Sequence, residues 1–197
     1  MNKKLDIRGM CFIGIFAAVT AILAQIIIPL PFTPVPVSFG ILAVYITGIL
    51  LNPKYALLSQ VIYLLLGMAG APVFGGFRGG FSVLAGPTGG YLIACPIMAF
   101  IISYFIYSYE KKGKGNTQKL FYKKIIRTLL GLIIAQLVCY IIGTIWLSIL
   151  SNISFVQGLI VAVYPFIIAD LIKMVIAIFF ILPIRKRLNI FVSENTR

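Results

Sequence analysis

The sequence predicts an all-α integral membrane protein, a compact six-transmembrane-helix bundle with both termini cytoplasmic. Three observations carry that prediction: the apolar composition, the lengths of the apolar runs and the placement of the cations. Of 197 residues, 61% are hydrophobic and only 11% are charged, with a mean hydropathy of +1.08, whereas a soluble domain carries roughly 25% charged residues. A chain of this length has room for about five to seven crossings of about 20 residues each, and a single membrane domain over 1–197 is expected. The net charge of +13 raises a nucleic-acid partner, because clustered Lys and Arg are the footprint of phosphate binding. Fifteen of the seventeen cations, however, sit at the ends of apolar runs, the pattern of the positive-inside rule. The bilayer is therefore the expected partner, and nucleic acid is not.

The first apolar run, 10–28, follows Lys3, Lys4 and Arg8 and ends at PLPFTPVPV. Pro29, Pro31, Pro34 and Pro36 cannot continue a helix and favour an extended connection. A signal peptide would also begin with cations and an apolar stretch, but this run exceeds the usual core of about 7 to 15 residues and further spans follow. Runs 38–51 and 55–68 are short and joined at Asn52-Pro53-Lys54. Such lengths suit tilted or broken helices around a cavity, where protein or water satisfies irregular backbone. The fourth run is 89–109. The fifth, 125–150, follows a connection holding seven cations from Lys111 to Arg127. The sixth is placed at 165–183, within an apolar stretch that begins at Phe155, because Pro165 suits the first turn of a helix.

Six crossings put both termini on one side, together with Lys54 and the basic connection. The three opposite connections then carry one charge between them, Arg78, so the charge asymmetry favours six spans over five or seven.

The outer connection from Gly67 to Tyr91 holds nine of the eighteen glycines, which let backbone turn sharply and approach a ligand. Arg78, Phe74, Tyr91 and Gly80 are candidate ligand residues there: one guanidinium amid flat apolar surface suits a small amphipathic acid. The competing interpretation is a mobile loop. In the last run, Asp170 and Lys173 are three residues apart and share a helical face. A charge at bilayer depth costs roughly 2.5–3.5 kcal/mol on insertion scales, so the pair marks either a substrate pathway or a self-neutralising joint between helices. Asp170 lies about 22 Å of helix before Arg185, in the outer half of a core about 30 Å thick. It can thus share a cavity with Arg78. On the first run, Gly14, Ala17, Ala18, Ala21 and Ala24 recur at spacings of three and four, a smooth face for close packing against a partner helix or within the bundle.

Catalytic chemistry finds little support. There is no His, and the carboxylates are Asp6, Glu110, Asp170 and Glu194, so neither an acid/base pair nor a Ser-His-Asp arrangement can be assembled. Cys11, Cys95 and Cys139 are dispersed, arguing against a metal cage or disulfide framework. Gly113-Lys114-Gly115 lacks the spacing of a phosphate loop. No enzyme, cofactor or metal is expected. A proton-coupled carrier or small channel, with Asp170 titrating, is the rival function.

PLPFTPVPV at Pro29–Val37, GMAGAPVFGGFRGG at Gly67–Gly80, GPTGGYL at Gly86–Leu92 and PFIIADLIK at Pro165–Lys173 resemble the BioY family, the biotin-binding S components of energy-coupling-factor vitamin transporters. The resemblance covers most of the chain in the family's order. It implies a six-helix capture subunit in a bacterial cytoplasmic membrane, binding biotin near the outer face and relying on a transmembrane T subunit and two ATPase subunits for energy. It also implies a docking surface on the first helix, with Ala17 and Ala21 matching the family's A-x-x-x-A. Where many members have a glutamine after the PVP segment, this chain has Ser38-Phe39-Gly40, which leaves another small vitamin open as substrate.

Overall fold

A computed structural model describes residues 7–31, 35–112 and 117–185, with side chains described except at 110–112 and 117–121. Lys3, Lys4, Asp6, Pro34, Gly113-Lys114-Gly115, Lys186, Arg187, Glu194 and Arg197 lie outside the described residues. The described elements are α1 (Ile7–Ala24), β1 (Ile27–Ile28), β2 (Val37–Ser38), α2 (Gly40–Leu50), α3 (Pro53–Met68), α4 (Phe81–Ala85), α5 (Gly89–Lys112), α6 (Thr117–Ser151), α7 (Phe155–Ala162) and α8 (Ile167–Ile176). A 3₁₀ turn, Tyr164–Phe166, joins α7 to α8, and the π-helical turn Ala177–Ile181 continues α8.

The first helix stops four residues short of the apolar run. Pro29 cannot continue it, and Ile27 and Ile28 instead pair antiparallel with Ser38 and Val37. That small clasp closes the proline-rich connection over the end of the bundle. Asn52 caps α3, its side-chain oxygen accepting the Tyr55 N–H at 3.0 Å, with Pro53 in the first turn. Ser154 and Gln157 form a reciprocal capping box on α7, which satisfies backbone donors at the start of the broken last segment.

Among the described residues, four stretches are long and apolar enough to cross a membrane: Ile7–Ala24, Gly89–Tyr109, Tyr122–Ser151 and Phe155–Arg185. The protein is thus a multi-pass membrane protein. With 11 and 16 residues, α2 and α3 rise only about 16 and 24 Å. Helix α2 packs inside the bundle against α1, α5 and α8, and α3 packs between α1 and α5 with Ile62, Leu65, Leu66 and Met68 exposed.

The main core joins Val44, Tyr45 and Ile49 of α2 to Met98, Ile102 and Ile106 of α5 and Leu132, Ala135 and Cys139 of α6. At the closed end, Arg185 is buried and its guanidinium donates to the carbonyl of Ile49 and, at 3.4 Å, to that of Leu51. Ser103 donates to the Leu51 carbonyl at 2.6 Å. A cation on the last carbonyls of α2 meets the negative end of its dipole. At the other end, small residues let aromatic side chains approach neighbouring helices closely: Trp146 packs on Gly90, and Tyr91 on Gly143.

A methyl group at Gly143 would overlap the Tyr91 ring, whereas one at Gly14 meets nothing within 4 Å. Gly143→Ala is expected to lower stability by about 1–3 kcal/mol through overpacking, read as a lower melting temperature in detergent. Gly14→Ala is expected to leave the melting temperature at or slightly above the parent's.

Candidate functional site: a polar-floored cavity at one end of the bundle

At the end of the bundle away from Arg185 lies a cavity of about 120 Å³. Its lining includes Ala24 at the end of α1, Ile27 of β1, Val35 and Pro36 of the proline segment, Ser38 of β2 and Gly40 at the start of α2. Tyr63 of α3, Phe74 and Arg78 of the glycine-rich loop, Tyr91 and Cys95 of α5, and Phe166 before α8 complete the apolar walls and the mouth. Asp170, Lys173, Gln136 and Tyr140 also line it, and they form a connected polar floor.

Asp170 and Lys173 are both buried. One turn of α8 brings the ammonium to 2.9 Å from Asp170 Oδ1. From α6, Gln136 Nε2 and the Tyr140 hydroxyl each donate to Asp170 Oδ2 at 2.7 Å. Behind them the hydroxyl of Tyr45 on α2 donates to Gln136 Oε1, also at 2.7 Å. The carboxylate thus receives three donors from two helices, which compensates for its removal from water. Gln136 and Tyr140 are one helical turn apart, so both reach the same face of α6.

Phe74 is buried, standing edge-on to Tyr63 with ring centroids 5.6 Å apart. It lies over Gly67, where any Cβ would strike its ring. Tyr91 packs on Gly143 and its hydroxyl reaches the Ala162 carbonyl at 3.4 Å. Arg78 is exposed, with Nε donating to the Gly75 carbonyl at 3.0 Å and the backbone bridged to Phe74. Its guanidinium is therefore held at the mouth, opposite the floor.

Of the residues singled out from the sequence, Asp170, Lys173, Arg78, Phe74 and Tyr91 come together in one cavity. Gly80 is not among its lining residues. With φ 94° and its N–H donating to the Gly67 carbonyl at 2.7 Å, it forms the turn that starts α4. Ala17 is buried with Tyr63 and Phe74, and Ala21 is half-buried against the same cluster. On α1, Gly14 and Ala18 are exposed, as is Cys11 one turn before Gly14.

The sequence reading missed Gln136, Tyr140, Tyr45 and Gln25. Two neutral polar residues four apart in the apolar run 125–150 were the available signal for the first two. Gln25 ties the glycine-rich loop to α1: its Nε2 donates to the Ala21 and Val73 carbonyls at 2.9 and 3.0 Å, and its Oε1 accepts the Phe77 N–H at 2.7 Å. Phe77 sits there at φ 56°, a left-handed conformation unusual for a bulky residue.

A family model described as BioY matches residues 1–190. Among similar proteins, the probable biotin transporter BioY of Pyrococcus horikoshii is 37% identical over 171 residues, covering 87% of this chain and 92% of that one. The probable biotin transporter BioY of Bacillus subtilis is 34% identical over 193 residues, covering 96% and 95%. A crystal structure described as the S-component for biotin from an ECF-type ABC transporter matches with a TM-score of 0.79 and 30% identity, over 94% of this chain and 95% of that one. The S component of a bacterial ECF transporter, at 18% identity and a TM-score of 0.53, shares the fold alone. The match along nearly the whole sequence, agreeing with the overall structural likeness, shows that this chain belongs to the BioY family.

Proposed function

We propose that the protein is the substrate-capture subunit of a biotin uptake system, binding biotin from the outer face of a bacterial cytoplasmic membrane. The observation that carries this reading is the buried Asp170–Lys173 pair at the floor of an aromatic-walled cavity. Biotin has a cyclic urea with two N–H donors and a carbonyl, an apolar sulfur ring, and a carboxylate on a flexible chain. Asp170 accepts a ring N–H, and Lys173 donates to the ring carbonyl. Tyr63, Phe74, Tyr91 and Phe166 cover the apolar parts. The ligand carboxylate stays near Arg78, because beside Asp170 it would meet a like charge in a low-dielectric site. Ser38 and Gly40 lie at the cavity edge, so small residues leave room where a larger side chain would touch the ligand.

In this reading α1, α2, α3, α5, α6 and the α7–α8 segment are the six crossings. Both termini and Lys54 are cytoplasmic, and the glycine-rich loop faces out. Energy comes from partners, a transmembrane T subunit and two ATPase subunits, to which the chain docks through α1. Burial of Ala17 moves the docking face round that helix to Gly14 and Ala18.

In a background without native cysteines, a Phe77→Cys probe is expected to react with a membrane-impermeant thiol reagent from outside, and a Lys54→Cys probe is not. The reverse result overturns the orientation. Asp170→Asn is expected to cost about 1.5–3 kcal/mol of biotin affinity, the range for a hydrogen bond to a charged group, or roughly tenfold or more. Equilibrium binding of labelled biotin to purified protein checks this, with retained helical content and monodisperse elution as the control for folding, since the unpaired Lys173 lowers the melting temperature. Unchanged affinity in both Asp170→Asn and Lys173→Met rules the site out. Replacing Gly14 and Ala18 with Leu is expected to abolish ATP-driven uptake with partners while leaving biotin binding near parental. An equal loss of both overturns the docking face.

A further inference from the structure

Tyr45 is fully buried on α2 and does not line the cavity. Its hydroxyl nevertheless ends a chain of short hydrogen bonds that begins at the ligand-facing carboxylate: Tyr45 to Gln136, and Gln136 to Asp170, each 2.7 Å. The direction of that chain is fixed by chemistry. Were the Gln136 amide reversed, its oxygen would stand 2.7 Å from a carboxylate oxygen, so the NH₂ group must face Asp170 and the oxygen must face Tyr45. Tyr45 then has to be the donor to Gln136. A neutral amide with both ends engaged cannot turn to serve the ligand as a general-purpose partner.

With Gln136 and Tyr140 both donating to Oδ2, that oxygen is saturated. Only Oδ1, already beside the Lys173 ammonium, keeps an acceptor position for a ligand. We propose that Tyr45 and Gln136 are positioning residues that lock the Asp170 carboxylate in one rotation, so that the floor presents a single acceptor next to a single cationic donor. That pairing selects a ligand edge carrying an N–H adjacent to a carbonyl. The assignment of biotin as the ligand rests on the proposed function; the locking of Asp170 does not.

Two measurements test it. In the ligand-free protein, aspartate labelling with ¹³C marks only Asp6 and Asp170, and Asp170→Asn identifies the infrared carboxylate bands of Asp170. Tyr45→Phe is expected to shift those bands, because Gln136 loses the partner that orients it. In binding, Tyr45→Phe and Gln136→Leu are each expected to weaken biotin affinity about tenfold, and the double variant no further than Gln136→Leu alone. The double variant also takes the Gln136 donor from Asp170 Oδ2, so its melting temperature is measured beside its affinity, and Tyr45→Phe, which leaves both donors on that oxygen, carries the infrared test. Unshifted bands in Tyr45→Phe overturn the proposal even if affinity falls, and so do losses that multiply to about a hundredfold in the double variant. A parent protein that does not bind biotin, but whose Asp170 bands shift in Tyr45→Phe, sinks the biotin assignment and leaves the positioning role standing.

Discussion

Everything at the open end of this bundle depends on keeping one carboxylate inside an apolar protein. An isolated buried charge costs several kcal/mol, and removing one partner of a buried pair is strongly destabilising. Asp170 therefore brings its own cation one turn away on α8, and two neutral donors from α6. The third layer, Tyr45, comes from α2. Because these partners lie on three different helices, the floor also sets how α2, α6 and α8 sit against one another. A well-packed apolar trio would hold them at least as well. The retention of a charged floor beneath a cavity is thus better explained by a ligand than by stability.

The mouth is built on the opposite principle, with small residues and backbone in place of charge. Phe74 reaches its buried place because Gly67 has no Cβ to exclude it. One glutamine, Gln25, fastens both Val73 and Phe77 to the end of α1. The β1–β2 clasp holds the proline segment against the same end. Arg78 is thereby presented by a braced loop, its guanidinium fixed by the Gly75 carbonyl.

How much of this could be read from the sequence follows from what each feature disturbs. Asp170 and Lys173 stand out because charge is so costly in an apolar run, and the glycine-rich loop because glycine is otherwise sparse. Gln136 and Tyr140 do not, since a neutral polar residue every few turns is ordinary in a membrane helix. The rotation of α1 was also illegible. Apolar or small residues surround most of that helix, so there is no polar face to mark the lipid side, and Ala17 and Ala18 look equivalent until α3 is seen to cover only the first. The end of α1 was overrun because Ile27 and Ile28 are as apolar in a strand as in a helix.

The shortness of α2 has an electrical consequence. Its 11 residues rise about 16 Å, roughly half of a core about 30 Å thick. Above it, in the proposed orientation, the missing half-helix is replaced by the cavity. In that orientation, water filling the mouth would carry the outer potential into the cavity and concentrate the membrane field on the half of the bundle packed around Ile49, Ile102 and Arg185. Moving one charge across the full field is worth about 2.3 kcal/mol per 100 mV. On the proposed reading, an anion captured at the mouth beside Arg78 would have crossed almost none of it. Capture would then be nearly indifferent to membrane voltage, and the electrical work of importing an anion against a negative interior would fall on the later step that carries it across the closed half.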